Sequence, residues 1–148
     1  EEKKMGIRAS DTVSLTLTDC RLPAENLLGD PDRAEQTAKA GFKGAMQTFN
    51  VTRPLVAASA LGVARAALEE LKNLLAEEGI ELRRGLPRQK LSNLEAEVIR
   101  MEAMLRSSWL LTLKAVWLSD QGRPNAQEAA MAKLHAGDVV TRITQKVV

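Results

Sequence analysis

Cysteine is nearly absent from this 148-residue chain, which holds Cys20 alone. A single thiol excludes an internal disulfide and fits a reducing, cytoplasmic compartment. Aromatic residues make up only 3% and the net charge is +2. With so little charge, and no aromatics interleaved with the basic residues, a nucleic-acid partner is excluded. No apolar run approaches a membrane span, and the charged start Glu1-Glu2-Lys3-Lys4 leads into no signal-peptide core. Histidine occurs once, at His135, with Asp138 its only ligand-type neighbour, so no metal site is expected. No phosphate-cradling glycine loop, zinc spacing or internal repeat occurs.

What is present is an ordinary soluble mix, 45% hydrophobic and 27% charged, in a length sufficient for one domain with a core. Between Thr12 and Thr18, Val13, Leu15 and Leu17 alternate with Ser and Thr, which predicts a half-buried strand. Cys20, at its end, reads as a small apolar filler. Leu22-Pro23 gives an extended exit, and Gly29-Asp30-Pro31-Asp32-Arg33 is a polar loop. The boundary is placed there: residues 1–30 as the end of a β domain, residues 31–148 as a helical bundle domain.

Three long helices of an up-down bundle are expected to follow, making the chain mainly α. The first runs from about Gly41 to Glu78. Phe42, Met46, Phe49, Val56, Ala60, Val63, Ala67 and Leu71 recur at three- and four-residue steps and predict its apolar stripe. Pro54 predicts a break or kink near Asn50–Pro54. Ala57, Ala58, Ser59, Ala60 and Gly62 allow a neighbouring helix to come close. The second helix is expected from about Gln89 to Ser119, with Leu91, Leu94, Val98, Met101, Leu105, Trp109, Leu113 and Val116 or Trp117 on one face. Asn125-Ala126-Gln127-Glu128 predicts a capping box opening the third, whose face is Ala129, Ala132, Ala136, Val139, Ile143 and Val147. The chain opens inside a β region and closes in mid-helix without a stop signal, so both ends read as cuts.

Three ordered motifs carry a resemblance. Lys4-Met5-Gly6-Ile7-Arg8-Ala9-Ser10-Asp11-Thr12 looks like K-M-G-x-R-x-S-x-T. Asp19-Cys20-Arg21-Leu22-Pro23-Ala24-Glu25-Asn26-Leu27-Leu28-Gly29 looks like D-V-x-V-P-x-E-N-x-L-G. The stretch from Gly41 to Pro54, GFKGAMQTFNVTRP, looks like G-F-x-x-A-M-x-x-F-D-x-x-R-P. Together they resemble the acyl-CoA dehydrogenases, FAD-dependent enzymes that desaturate acyl-CoA thioesters at the α,β position. The resemblance implies that the chain covers the end of the middle β domain and the first three helices of the C-terminal bundle. It further implies an acyl-CoA substrate, an electron-transfer flavoprotein as redox partner, and homo- or hetero-oligomers built through the bundle.

It also assigns site residues. Phe49 and Asn50 match positions lining the acyl-CoA channel, and Arg53 matches an arginine beside the active site, where a fixed cation orients a ligand. Plainer readings stand beside these: Phe49 as a core residue, Arg53 paired with a local acid, and Asn50 altered from the family's aspartate. In some members the catalytic glutamate immediately precedes that arginine; here the position is Thr52, which cannot act as a base. The base is therefore expected beyond Val148, and this chain by itself is expected to be inactive. At the far end of the first helix, family spacing puts Glu78 where an arginine reaches the FAD pyrophosphate, and Glu81 where a phenylalanine stands. A carboxylate there repels a pyrophosphate. Arg83, Arg84 and Arg88 lie close enough in sequence to compensate, or Glu77–Arg88 is a solvated, mixed-charge connection. The loss raises an alternative: a non-catalytic or FAD-site-deficient subunit that serves as a helical assembly element of a heteromeric acyl-CoA dehydrogenase.

Overall fold

The structure, a computed structural model, describes residues 2–26 and 34–147, the side chains of residues 34–38 and 40 excepted. The polar loop 29–33 and the boundary expected at 30/31 lie outside the described residues. Two compact units are present, Glu1–Lys39 and Ala40–Val148. Three helices dominate: α1 (Ala34–Glu77), α2 (Asn93–Asp120) and α3 (Ala126–Val147). Single 3-10 turns occur at Ala24–Asn26 and Arg88–Lys90. This is the mainly helical architecture that the periodicity predicts.

The expected strand is not formed. Residues 12–18 carry no β-ladder, and Val13, Leu15 and Leu17 are exposed. A strand is stabilised by pairing, and among the described residues no second strand lies beside this one. Alternation alone supplies a face but no hydrogen-bond partner. Cys20 is exposed rather than a filler.

Helix α1 starts upstream of Gly41 and continues through Pro54 without a break in helical structure. It ends in a complete Schellman motif. The Gly79 N–H donates to the Ala76 carbonyl at 3.0 Å and the Ile80 N–H to the Leu75 carbonyl at 2.8 Å, with Gly79 at a φ of +72° that suits glycine. Helix α2 ends in the same way. Arg123 N–H donates to Leu118 and Gly122 N–H to Ser119, both at 2.9 Å, around Gly122 at φ +64°. The turn after it is short, so α2 and α3 form an antiparallel hairpin.

The buried face of α1 is rotated from the expected stripe. Pro54, Ala57, Leu61, Ala64 and Leu68 are buried; of the expected stripe, Ala60, Ala67 and Leu71 are half-buried against this core and Met46 is half-buried, whereas Phe42, Phe49, Val56 and Val63 are exposed. Both rows have helical spacing, but the row of Ala57, Leu61, Ala64 and Leu68 is the one that joins the buried core with α2 and α3. In α2 the expected Val98, Met101 and Leu105 are buried, and the buried row then passes through Ser108, Thr112 and Ala115, leaving Leu113 and Trp117 exposed. Thr112 satisfies its hydroxyl on the Ser108 carbonyl at 2.9 Å, so a polar residue occupies a core position at little cost. Trp109 packs half-buried against the core. The α3 face holds as expected, with Ala129, Ala132, Ala136, Val139 and Ile143 buried.

One window within Gly41–Glu77 reaches a mean hydropathy of 1.2, long and apolar enough to cross a membrane by length and composition alone. The expectation that no run approaches such a span is corrected to that extent. Apolar residues on both sides of α1 raise the average, and part of them form the bundle core.

Leu61→Ala is expected to cost about 2–5 kcal/mol, and Val63→Ala less than about 1 kcal/mol, in denaturant unfolding of this chain. Equal losses would place the buried face where Val63 lies.

Candidate functional site

One helical turn of α1 collects the predicted site residues. Phe49, Asn50 and Arg53 are three and four residues apart, the spacing at which side chains on a helix meet. The Arg53 Nη1 donates to Asn50 Oδ1 at 3.0 Å, and its guanidinium lies over the Phe49 ring, 5.6 Å from the centroid. Phe49 is 48% exposed, so it is not the core residue that its spacing also allowed. Arg53 and Asn50 are half-buried. Arg53 takes a neutral amide oxygen as partner and forms no salt bridge among the described residues. Among the described residues its charge is oriented but not neutralised. Thr52 is half-buried with its hydroxyl 3.5 Å from the Phe49 carbonyl. A threonine hydroxyl has no basic lone pair fit to take a carbon-bound proton at neutral pH.

Pro54 has no N–H, so α1 cannot make the bond from residue 54 to the Asn50 carbonyl. That carbonyl is met instead by the side chain of Asn125, whose Nδ2 lies 3.2 Å away. The same nitrogen donates to the Ala115 carbonyl of α2 at 3.0 Å. Asn125 is 7% exposed and stands immediately before α3, where its own carbonyl accepts from the Ala129 N–H at 2.8 Å. The expected capping box therefore does not form at Asn125–Glu128, because the amide side chain turns away to two carbonyls. A capping box occurs at α2 instead. Ser92 Oγ accepts from the Glu95 N–H at 3.1 Å and Glu95 Oε2 from the Ser92 N–H at 2.7 Å. The S-x-x-E spacing of Ser92–Glu95 was the signal that could have located it.

The connection between α1 and α2 is held by two carboxylates. Glu95, 4% exposed, accepts a fork from Arg83, Nε at 2.7 Å and Nη2 at 2.8 Å, and also the Arg83 backbone N–H at 3.2 Å. The Arg83 fork first, and the Ser92 amide after it, hold this carboxyl far below the usual carboxylate range. Glu102 accepts a fork from Arg84, with Nη2 at 2.8 Å, and pairs with Lys72 of α1. The bonds from Arg84, ahead of those from Lys72, lower its pKa from 4.5 to about 2 against the opposing effect of burial. Arg88 donates to the Leu91 carbonyl at 3.5 Å and to Asn93 Oδ1 at 3.2 Å. Glu78 and Glu81 are exposed. The connection is thus tied down by ion pairs and hydrogen bonds rather than simply solvated. His135 is half-buried, and among the described residues no group of three or more potential metal-binding side chains exists.

The sequence model of the acyl-CoA dehydrogenase C-terminal domain matches residues 39–148. The chain belongs to the acyl-CoA dehydrogenase family. Among its relatives, the mitochondrial short-chain specific acyl-CoA dehydrogenase of Rattus norvegicus is 41% identical over 100% of this chain and 34% of its own length. The short-chain specific acyl-CoA dehydrogenase of Megasphaera elsdenii is 34% identical over 100% of this chain and 36% of its own. The cyclohexane-1-carbonyl-CoA dehydrogenase of Syntrophus aciditrophicus is 34% identical over 97% and 35%. The chain therefore spans about a third of the length of the curated relatives it matches. A solved chain from work on the electron transferring flavoprotein of Acidaminococcus fermentans superposes with a TM-score of 0.68 at 33% identity, covering 88% of this chain and 32% of its own.

Within this acyl-CoA dehydrogenase bundle, the end of α1 is a poor fit for a flavin pyrophosphate, with Arg88 the one arginine of the connection held by neutral acceptors alone among the described residues. Glu78 and Glu81 present negative charge there, while Arg83 and Arg84 are committed to Glu95 and Glu102. Freeing Arg83 would leave the buried Glu95 carboxylate without its cation, and freeing Arg84 would leave Glu102 with Lys72 alone.

Glu102 has a folded pKa below its unfolded one, so its contribution is fully present above about pH 4.5 and is lost as pH falls toward 2. Relative to Glu102→Gln, the wild-type chain is expected to be more stable at pH 7, with the gap narrowing between pH 4.5 and pH 2.5. Denaturant midpoints for both proteins across that range check this, and a gap that does not change with pH would contradict it.

Proposed function

We propose that the whole protein is an FAD-dependent acyl-CoA dehydrogenase that desaturates acyl-CoA thioesters at the α,β position, with this chain supplying one wall of the substrate site. The observation that carries the reading is Arg53. It is a half-buried cation fixed by Asn50 and Phe49 yet paired with no carboxylate among the described residues. Such a group is preorganised for an anionic or carbonyl-bearing ligand, because its orientation is set before the ligand arrives. Phe49 offers an exposed apolar ring beside it. Relatives specific for short acyl-CoA esters and for cyclohexane-1-carbonyl-CoA support the thioester class. The likeness to a chain studied with an electron transferring flavoprotein supports a partner of that kind as electron acceptor. Thr52 provides no base, so proton abstraction falls to a carboxylate outside these residues.

A second reading is favoured by one observation. With Arg83 and Arg84 bound to Glu95 and Glu102, and Glu78 exposed at the end of α1, Arg88 is the one arginine of this connection left without a carboxylate partner among the described residues, a weak cation site for a flavin pyrophosphate. The whole protein is then a subunit of a hetero-oligomer in which an unlike chain completes the FAD site. Its exposed row of Phe42, Phe49, Val56 and Val63 suits a helix that assembles with others.

Purified whole protein is expected to bind FAD, alone or with a related chain, and to reduce an electron acceptor with a short acyl-CoA. Arg53→Ala should lower kcat/KM roughly tenfold or more, with Thr52→Ala near wild type. Absence of acyl-CoA oxidation under both conditions would overturn the first reading. One FAD per chain in the protein alone would overturn the second.

A further inference from the structure

We propose that Asn125 is a positioning residue for the site on α1: its side-chain amide takes over the hydrogen bond that Pro54 removes, and so fixes the turn from Phe49 to Arg53. The proposal rests on the reading of that turn as part of the substrate wall.

Three observations converge. The first is the vacancy in the helical ladder, since proline at 54 leaves the Asn50 carbonyl without its normal donor. The second is the stoichiometry of the amide. A carboxamide nitrogen carries two protons, and the two acceptors within reach are the Asn50 carbonyl at 3.2 Å and the Ala115 carbonyl at 3.0 Å. Both neighbours are acceptors only, which sets the amide with its nitrogen toward them. The third is anchorage. Asn125 is buried, and its backbone carbonyl is engaged by the first turn of α3. Its position is therefore set by α2 and α3, and through it the backbone of Asn50 is held from outside α1. The Asn50 side chain then holds the Arg53 guanidinium over Phe49. The relay links residues 75 apart in sequence.

Asparagine before a helix also has a plainer role, as a cap that accepts from its own first turn. Aspartate caps equally well but cannot donate, so Asn125→Asp separates the two roles. In the whole protein, Asn125→Asp and Asn125→Ala are expected to speed backbone hydrogen exchange in the turn around residues 50–56 about tenfold, while the later turns of α3 keep their protection. Pro54→Ala returns an N–H at residue 54. In that background Asn125→Ala should change exchange less than about twofold. Asn125→Asp should also lower kcat/KM for a short acyl-CoA about tenfold at a temperature where the variant is folded, and Pro54→Ala should recover much of the loss suffered by Asn125→Ala.

Wild-type exchange in Asn125→Asp would show a cap only and overturn the proposal. So would an Asn125→Ala effect of equal size with and without Pro54. Unchanged kcat/KM in an active enzyme whose turn exchanges faster would overturn the positioning role. An unaltered protein that oxidises no acyl-CoA instead overturns the functional reading, and the exchange cycle alone then decides what Asn125 does.

Discussion

The bundle depends on one carboxamide. A long helix that must bury alanine and leucine against two neighbours contains a proline in its middle, and the carbonyl thereby stranded sits where the three helices meet. Asn125 answers it with one proton and gives the other to α2, while its own backbone begins α3. An unmet buried carbonyl costs about 1–3 kcal/mol, and a proline inside a helix about 3 kcal/mol. The contact thus offsets a local defect comparable with a sizeable fraction of a small domain's stability. It also explains why α1 passes through Pro54 as a continuous helix.

Around that joint the chain separates its charges into two uses. At the connection between α1 and α2, the cations Lys72, Arg83 and Arg84 are paired with Glu95 and Glu102, which tie the segment down. Near the joint, Arg53 is oriented by neutral partners and has no carboxylate partner among the described residues. A cation that is fixed but not neutralised is suited to recognition; one held in the fork of a buried carboxylate is suited to structure. On the proposed function, that contrast favours the Phe49–Arg53 turn over the end of α1 as this bundle's contribution to the site.

Much of this was readable from the residues. The existence of three helices, the α3 face and the helical meeting of Phe49, Asn50 and Arg53 follow from spacing, because they depend on contacts a few residues apart. The face of α1 followed only in part, since apolar residues lie on both sides of this helix and its spacing fits the row of Phe49, Val56 and Val63 as well as the buried row of Ala57, Leu61, Ala64 and Leu68. The second half of the α2 face was hidden by Ser108 and Thr112, polar residues in core positions. The strand at residues 12–18 had a pattern but no partner. Hardest of all was Asn125. Its place before a helix suggested a cap, and only the folded chain brings Asn50 and Ala115 to its amide.

The side-chain amide protons of Asn125 test this account most directly. In protein carrying 15N-labelled asparagine, both Nδ2 protons should exchange with solvent far more slowly than those of exposed Asn73, and one of them should shift when Pro54 is replaced by alanine. Exchange as fast as that of Asn73, with no response to Pro54, would mean that the amide bridges nothing and that α1 tolerates its proline by some other means.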